Sequence, residues 1–280
     1  MLLGFSTWAM PNRPIDTIVS YLHSIGYDAI EIGVLPRFST ALEKMDEAER
    51  QRIARLLKDY KLKLSAISAY LDFMEQDEAK FSENSVYVQR AIDLATEWFP
   101  EPQQPIVVSG FGGQPGELET HQDQLVERLN TLGNYAQERG VVVAMEHHVG
   151  NAVETPDQVV AIMEQVDSPA IRINFDISHF NVMGIPIEES VAKVLPYAAH
   201  THIKDESGRA PEHQYLIPGE GEFDYVHYLK VMAEHGYSGT ISTEISMMVQ
   251  QREVYDPLET AKRSYEVVSA AFVEAGVKRG

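Results

Sequence analysis

Four short apolar runs in the second half of the chain carry a residue that can hold a cation. "AMEHHVG" carries Glu146, "NFDISHF" carries Asp176, "HTHIKD" carries His202 and "STEIS" carries Glu244. A lone acid in an apolar run is costly to bury unless something pairs with it. Taken singly, each reads as a loop cap or an ion-pair partner; four in succession ask for a common cause. Gathered around one point, the carboxylates would repel one another and resist ionisation, a conflict that a divalent ion removes. Carboxylate oxygens with one imidazole, and room for further oxygens, suit an octahedral ion. Mn²⁺ fits best, Mg²⁺ and Co²⁺ also fit, and Zn²⁺ would make a closed structural site.

Such a convergence needs neighbouring strand ends. Eight strand-like runs occur, at residues 2–8, 28–32, 61–68, 105–109, 141–146, 171–176, 198–204 and 239–244. They recur roughly every 35 residues, with helical patterns between them, as repeated strand–helix units do. Ile53, Leu56 and Leu57 lie at helical spacing amid charges, and Val88, Ile92 and Ala95 share a face. "TPDQ" places Thr155 as cap, Pro156 at the first helical position and Gln158 in a capping box, and "DPLE" repeats the device from Asp256. No linker or composition shift divides the chain. The expected fold is therefore α/β, a single (β/α)8 barrel forming one domain over residues 1–280. A doubly wound open sheet is the rival, but "GFSTWAMP" after the first run is not the glycine-rich dinucleotide turn. In a barrel the C-terminal strand ends meet on one face, where active sites lie, and adjacent strands are only about 5 Å apart.

The bulk properties narrow the functions. A formal charge of −19 disfavours nucleic acid and anionic membranes, which are gripped through Lys and Arg. No run approaches the ~18 apolar residues of a membrane helix. The absence of cysteine excludes disulfides, thiolate metal sites and cysteine nucleophiles. "MLLGFSTWAM" lacks the basic and long apolar segments of a signal peptide and reads as the first strand, so a cytoplasmic location is the default expectation.

The motifs "AMEHH", "FDISH", "HTHIKD", "GEGEFDY" and "TEIS" together resemble the xylose isomerase-like barrel family of sugar isomerases and epimerases, which also contains endonuclease IV. In its ketose 3-epimerase branch a Glu, an Asp, a His and a Glu bind one divalent ion. The resemblance maps these to Glu146, Asp176, His202 and Glu244. It also implies substrate contacts from His179 and, as the nearest candidate after the seventh run, Arg209. By analogy with related enzymes it allows a homo-oligomer. The implied chemistry is proton transfer next to a carbonyl through a metal-stabilised enediolate, with Glu146 and Glu244 as the two bases. Return of the proton to the same carbon, its return to the neighbouring carbon, or loss of a hydroxyl gives an epimerase, an isomerase or a dehydratase of the inosose or dehydroshikimate type. The expected substrate is a small sugar or polyol. The bulky "SMMVQQREVYD" after the eighth run, where barrels of this kind place phosphate sites, favours an unphosphorylated one. His148 is expected at the pocket rim, Glu31 near a substrate hydroxyl or in a loop, Trp8 and Phe111 over a sugar face or in the core, and Lys204 paired with Asp205. In "GEGEFDY", Gly219 and Gly221 shape a turn and Asp224 caps the next helix.

Overall fold

A computed structural model describes residues 1–280. Eight parallel strands close into a barrel: β1 (Leu2–Ser6), β2 (Ala29–Gly33), β3 (Lys63–Ser68), β4 (Ile106–Gly110), β5 (Val142–Glu146), β6 (Ile171–Asp176), β7 (Ala198–Ile203) and β10 (Thr240–Thr243). Their order is β1-β10-β7-β6-β5-β4-β3-β2, so β10 pairs with both β7 and β1 and leaves no open edge. The expected (β/α)8 barrel is the observed fold. Between β7 and β10 the chain adds a small antiparallel hairpin, β8 (Asp205–Ser207) with β9 (Gln214–Leu216). Its strands are too short to show the period-two alternation by which strands are read.

The outer layer comprises α1 (Ile15–Ile25), α2 (Glu47–Asp59), α3 (Glu78–Trp98), α4 (Leu118–Gln137), α5 (Pro156–Met163), α7 (Ile187–Val194), α8 (Tyr225–Glu234) and α10 (Pro257–Ala275). Short α6 (Ile177–Val182) and α9 (Met247–Gln250) follow β6 and β10. The capping box expected at α5 forms, with Thr155 and Gln158 bonding reciprocally, whereas α8 and α10 have one-way caps: Asp224 accepts from His227 N, and Asp256 accepts from Leu258 and Glu259 N without a return bond to the Glu259 side chain. The run expected over 2–8 stops at Ser6, whose hydroxyl accepts from Trp8 N and turns the chain into a 3₁₀ segment. One contiguous cluster of 67 buried residues fills the space between strands and helices. No helix is long and apolar enough to cross a membrane.

Alternation along each strand decides what enters the lumen. Glu146 pairs in register with Asn174, Asp176 with His202, and His202 with Ser242. The C-terminal mouth therefore receives polar side chains from β5, β6, β7 and β10 together.

Candidate active site

Glu146, Asp176, His202 and Glu244 each offer one ligand atom within 4.8 Å of the others, and all four residues are buried. Each carries defined secondary contacts. Asp176 Oδ1 accepts from Ser178 N at 2.9 Å and from the Ser178 hydroxyl at 2.6 Å, which leaves Oδ2 facing the cluster. Glu146 Oε2 accepts from Asn174 Nδ2 at 2.7 Å and from the Tyr70 hydroxyl, while the buried Oε1 has no hydrogen-bond partner. His202 Nε2 lies 2.6 Å from Glu31 Oε2. A carboxylate there accepts, so Nε2 carries the proton and Nδ1 faces Glu146 Oε2 at 3.4 Å and Glu244 Oε1 at 3.8 Å. An orphaned carboxylate oxygen, a freed aspartate oxygen, an imidazole nitrogen and a glutamate oxygen form a donor set that fits a divalent ion of the Mg²⁺–Mn²⁺ class.

Below the cluster, Glu31 accepts from the Ser6 hydroxyl at 2.7 Å and lies 3.0 Å from His200 Nε2. Burial alone would raise the Glu31 carboxyl, but His202 and His200 outweigh it and hold it well below its usual range. Burial likewise lowers His202, yet Glu31, Glu146 and Glu244 overcome that and raise it well above the ordinary histidine value, so a divalent ion at Nδ1 would take the place of a proton there. A carboxylate behind a ligating histidine is the common device for fixing its tautomer.

Above the cluster opens a pocket of about 700 Å³. Lys204, Glu244, His179 and His148 line it together with Trp8, Tyr70 and Tyr215. His148 Nε2 and His179 Nε2 approach Glu146 Oε1 to 3.5 and 3.7 Å. Burial pushes the His179 imidazole down to about 4, so it is neutral at physiological pH. Lys204, only 3% exposed, pairs with Asp176 Oδ2 and with Glu244 Oε2 at 2.7 Å, and lies 4.0 Å from Glu146 Oε1.

Most residues singled out in the sequence converge here, with three departures. Arg209 does not reach the pocket; it is exposed, with Nη1 donating to Gly208 O, because the hairpin turn carries it outward. Lys204 pairs with Asp176 and Glu244 in place of Asp205, whose carboxylate is already filled by the backbone N–H groups of Glu206, Gly219, Gly221 and Phe223. Glu31 holds histidines beneath the cluster and is absent from the pocket lining. Of the two aromatics expected either over a sugar face or in the core, Phe111 is in the core and Trp8 lines the pocket. Asn174, Tyr70 and Tyr215 were not anticipated. Asn174 was within reach, since it lies two residues before Asp176 on the same face of β6. Tyr70 lies in the connection after β3 and Tyr215 in the three-residue β9, where periodicity gives no signal.

A family model described as "Xylose isomerase-like TIM barrel" matches residues 19–269. Among curated proteins, an inosose dehydratase of Salmonella agona (strain SL483) is 27% identical over 210 residues, covering 70% of this chain but only 64% of that protein's length. An inosose dehydratase of Clostridium perfringens (strain 13 / Type A) is 24% identical over 271 residues, covering 89% of this chain and 87% of that one. Among solved structures, a D-psicose 3-epimerase determined in the presence of D-fructose superposes with a TM-score of 0.80 at 14% identity, covering 99% of this chain and 100% of that one. A xylose isomerase-like protein from Mycobacterium smegmatis in complex with magnesium superposes with a TM-score of 0.72 at 21% identity, covering 98% and 97% of the two chains. With the barrel, the strand-end motifs and a family match over most of its length, this chain belongs to the xylose isomerase-like TIM barrel family.

Proposed function

We propose that the protein is a divalent-metal-dependent sugar isomerase or epimerase that moves a carbon-bound proton next to a carbonyl, on an unphosphorylated ketose or polyol-derived ketone. The observation that carries this reading is the buried cluster of Glu146, Asp176, His202 and Glu244, within 4.8 Å of one another, which meets the pocket through Glu244 and through the lining residues His179 and Lys204 that contact Glu146 and Asp176. Those four residues would hold the ion, Mn²⁺ by preference, with Mg²⁺, Co²⁺ or Zn²⁺ as substitutes. When bound, it supplies positive charge against the negative charge that develops on substrate oxygens as the proton leaves.

The chain's own residues supply the rest. Glu146 and Glu244, from β5 and from the end of β10, act as the two proton-transfer bases. Tyr70 and Asn174 fix Glu146 through Oε2, so Oε1 is its free face. His179 Nε2, also without a hydrogen-bond partner, donates to a substrate oxygen, and His148 contacts the substrate at the rim. Trp8 offers an apolar face to the sugar ring. Lys204 is the one Lys or Arg lining the pocket, which has no cluster of cations to grip a phosphate, and this supports an unphosphorylated substrate.

A dehydratase acting through the same proton removal is the second reading, favoured by the inosose dehydratases among the curated relatives. The test is ¹H NMR of Mn²⁺-loaded protein in D₂O with free ketoses, their phosphates and an inosose. Deuterium entering next to the carbonyl of a free ketose is the expected result. Appearance of an absorbing enone from the inosose would select the dehydratase, and no exchange with any of them would reject both. Glu146→Gln and Glu244→Gln should each slow exchange by about 10²–10⁴-fold.

A further inference from the structure

We propose that the Lys204 ammonium is the resident counter-ion of the four-residue cluster, and that a divalent ion must displace it in order to bind. The inference rests on the metal-binding reading above. Lys204 follows β7 directly, and its ammonium bridges Asp176 Oδ2 and Glu244 Oε2. Ser178 saturates the other oxygen of Asp176, so the ammonium holds the only oxygen that residue can give to an ion. Glu146 Oε1, the orphaned oxygen, is 4.0 Å away on the same side.

A divalent ion sits at roughly 2.0–2.6 Å from its carboxylate oxygens, depending on the ion. Sharing Asp176 and Glu244 with Lys204 would place two cations a few ångströms apart in a buried site, where like charges are poorly screened. The carboxylates therefore take one cation or the other. The displaced ammonium has a destination. Lys204 already lines the pocket, and its Nζ lies 5.6 Å from the centre of the Tyr215 ring, whose face attracts cations. In the metal-free protein the ammonium spares Asp176 and Glu244 from facing each other unpaired. In the metal-loaded protein it stands on the pocket wall, facing the substrate.

The test compares metal-stripped full-length protein with its Lys204→Met variant by calorimetric titration with Mn²⁺ and by melting in EDTA. The variant should bind Mn²⁺ about tenfold tighter or more, melt lower than wild type without metal, and gain more on adding Mn²⁺. Lys204→Arg keeps the charge and should bind no tighter than wild type. The wild-type protein gives an independent reading if Lys204→Met fails to fold. Limited acetylation with peptide mapping should find Lys204 protected without metal and labelled with Mn²⁺ present. Equal or weaker Mn²⁺ binding by Lys204→Met beside intact wild-type binding, or protection of Lys204 that Mn²⁺ leaves unchanged, overturns this inference alone. Failure of both wild type and Lys204→Met to bind Mn²⁺ at saturating concentration overturns the metal-dependent function as well.

Discussion

His179 shows how the fold assigns protons to single atoms. Val149 N–H can only donate, and it points at His179 Nδ1 from 3.4 Å, with the Tyr215 hydroxyl at 2.8 Å from the same nitrogen. Nδ1 is thus the acceptor, Nε2 keeps the hydrogen, and that hydrogen points toward the unpartnered Glu146 Oε1 and toward Asp176 Oδ2, which Lys204 holds. Glu206 presents the opposite case. It is buried, accepts from Asn181 Nδ2 at 2.7 Å on one oxygen, and has no partner on the other. Burial pushes its carboxyl up from 4.5 to about 8. A raised acid binds its proton more tightly in the folded chain than in the unfolded one. Its contribution to stability is therefore full below the unfolded value and is lost as pH climbs toward the folded one. Between pH 4.5 and 8 the loss is on the order of 3–5 kcal/mol. Glu206→Gln keeps the shape and the Asn181 contact without the ionisation. In denaturant melts it should be more stable than wild type at pH 8, with the difference vanishing near pH 5; a difference constant across that range would refute the assignment.

At the scale of elements, one side chain organises the segment between β7 and α8. Asp205 Oδ2 accepts from Gly219 N at 2.7 Å and Gly221 N at 3.1 Å, while Oδ1 accepts from Glu206 N at 2.9 Å and Phe223 N at 3.2 Å. Gly221 is required by close approach: a Cβ there would lie 2.4 Å from Asp205 Oδ1 and from Glu206 O. This knot closes the loop behind β9, which carries Tyr215 to His179. Asp205→Ala leaves backbone donors without their acceptor and should cost about 3 kcal/mol in chemical denaturation. Gly221→Ala should destabilise in the same direction, and wild-type-like melts for both would show that the loop is held by other contacts. The turn at "GEGEFDY" and the Asp224 cap were legible from residue types alone. The hairpin was not, because a three-residue strand has no period to read, and neither was the partner of Asp205, which lies 14–18 positions along the chain.

For the whole molecule, barrel closure is what turns separate strand ends into a site. An ion bound by residues of β5, β6, β7 and the end of β10 ties those strands together in the folded state only, so it stabilises by mass action. At about a hundredfold its dissociation constant, Mn²⁺ should add about 2.7 kcal/mol. For a chain of this size that raises the melting temperature by roughly 5 °C or more, and EDTA should reverse the gain. A melting temperature indifferent to Mn²⁺, Mg²⁺, Co²⁺ and Zn²⁺ would count against the cluster as a metal site. The charge of −19 acts on the same scale, since the field of the whole molecule attracts cations while the cluster concentrates demand for one at a single point.

By itself the sequence determined the strand–helix repeat, the helix caps and the identity of Glu146, Asp176, His202 and Glu244. These depend on short-range alternation and on position at a strand end, which neighbouring residues dictate. The tertiary structure alone decided how those residues are held. Glu31 meets His202 across 171 positions of chain, Tyr70 reaches Glu146 across 76, and Lys204 turns from its neighbour Asp205 to Asp176 and Glu244. Arg209, near the same strand in sequence, was carried away from the pocket by the hairpin turn. Such pairings follow from barrel closure and from competition among buried charges, and no local pattern in the chain encodes either.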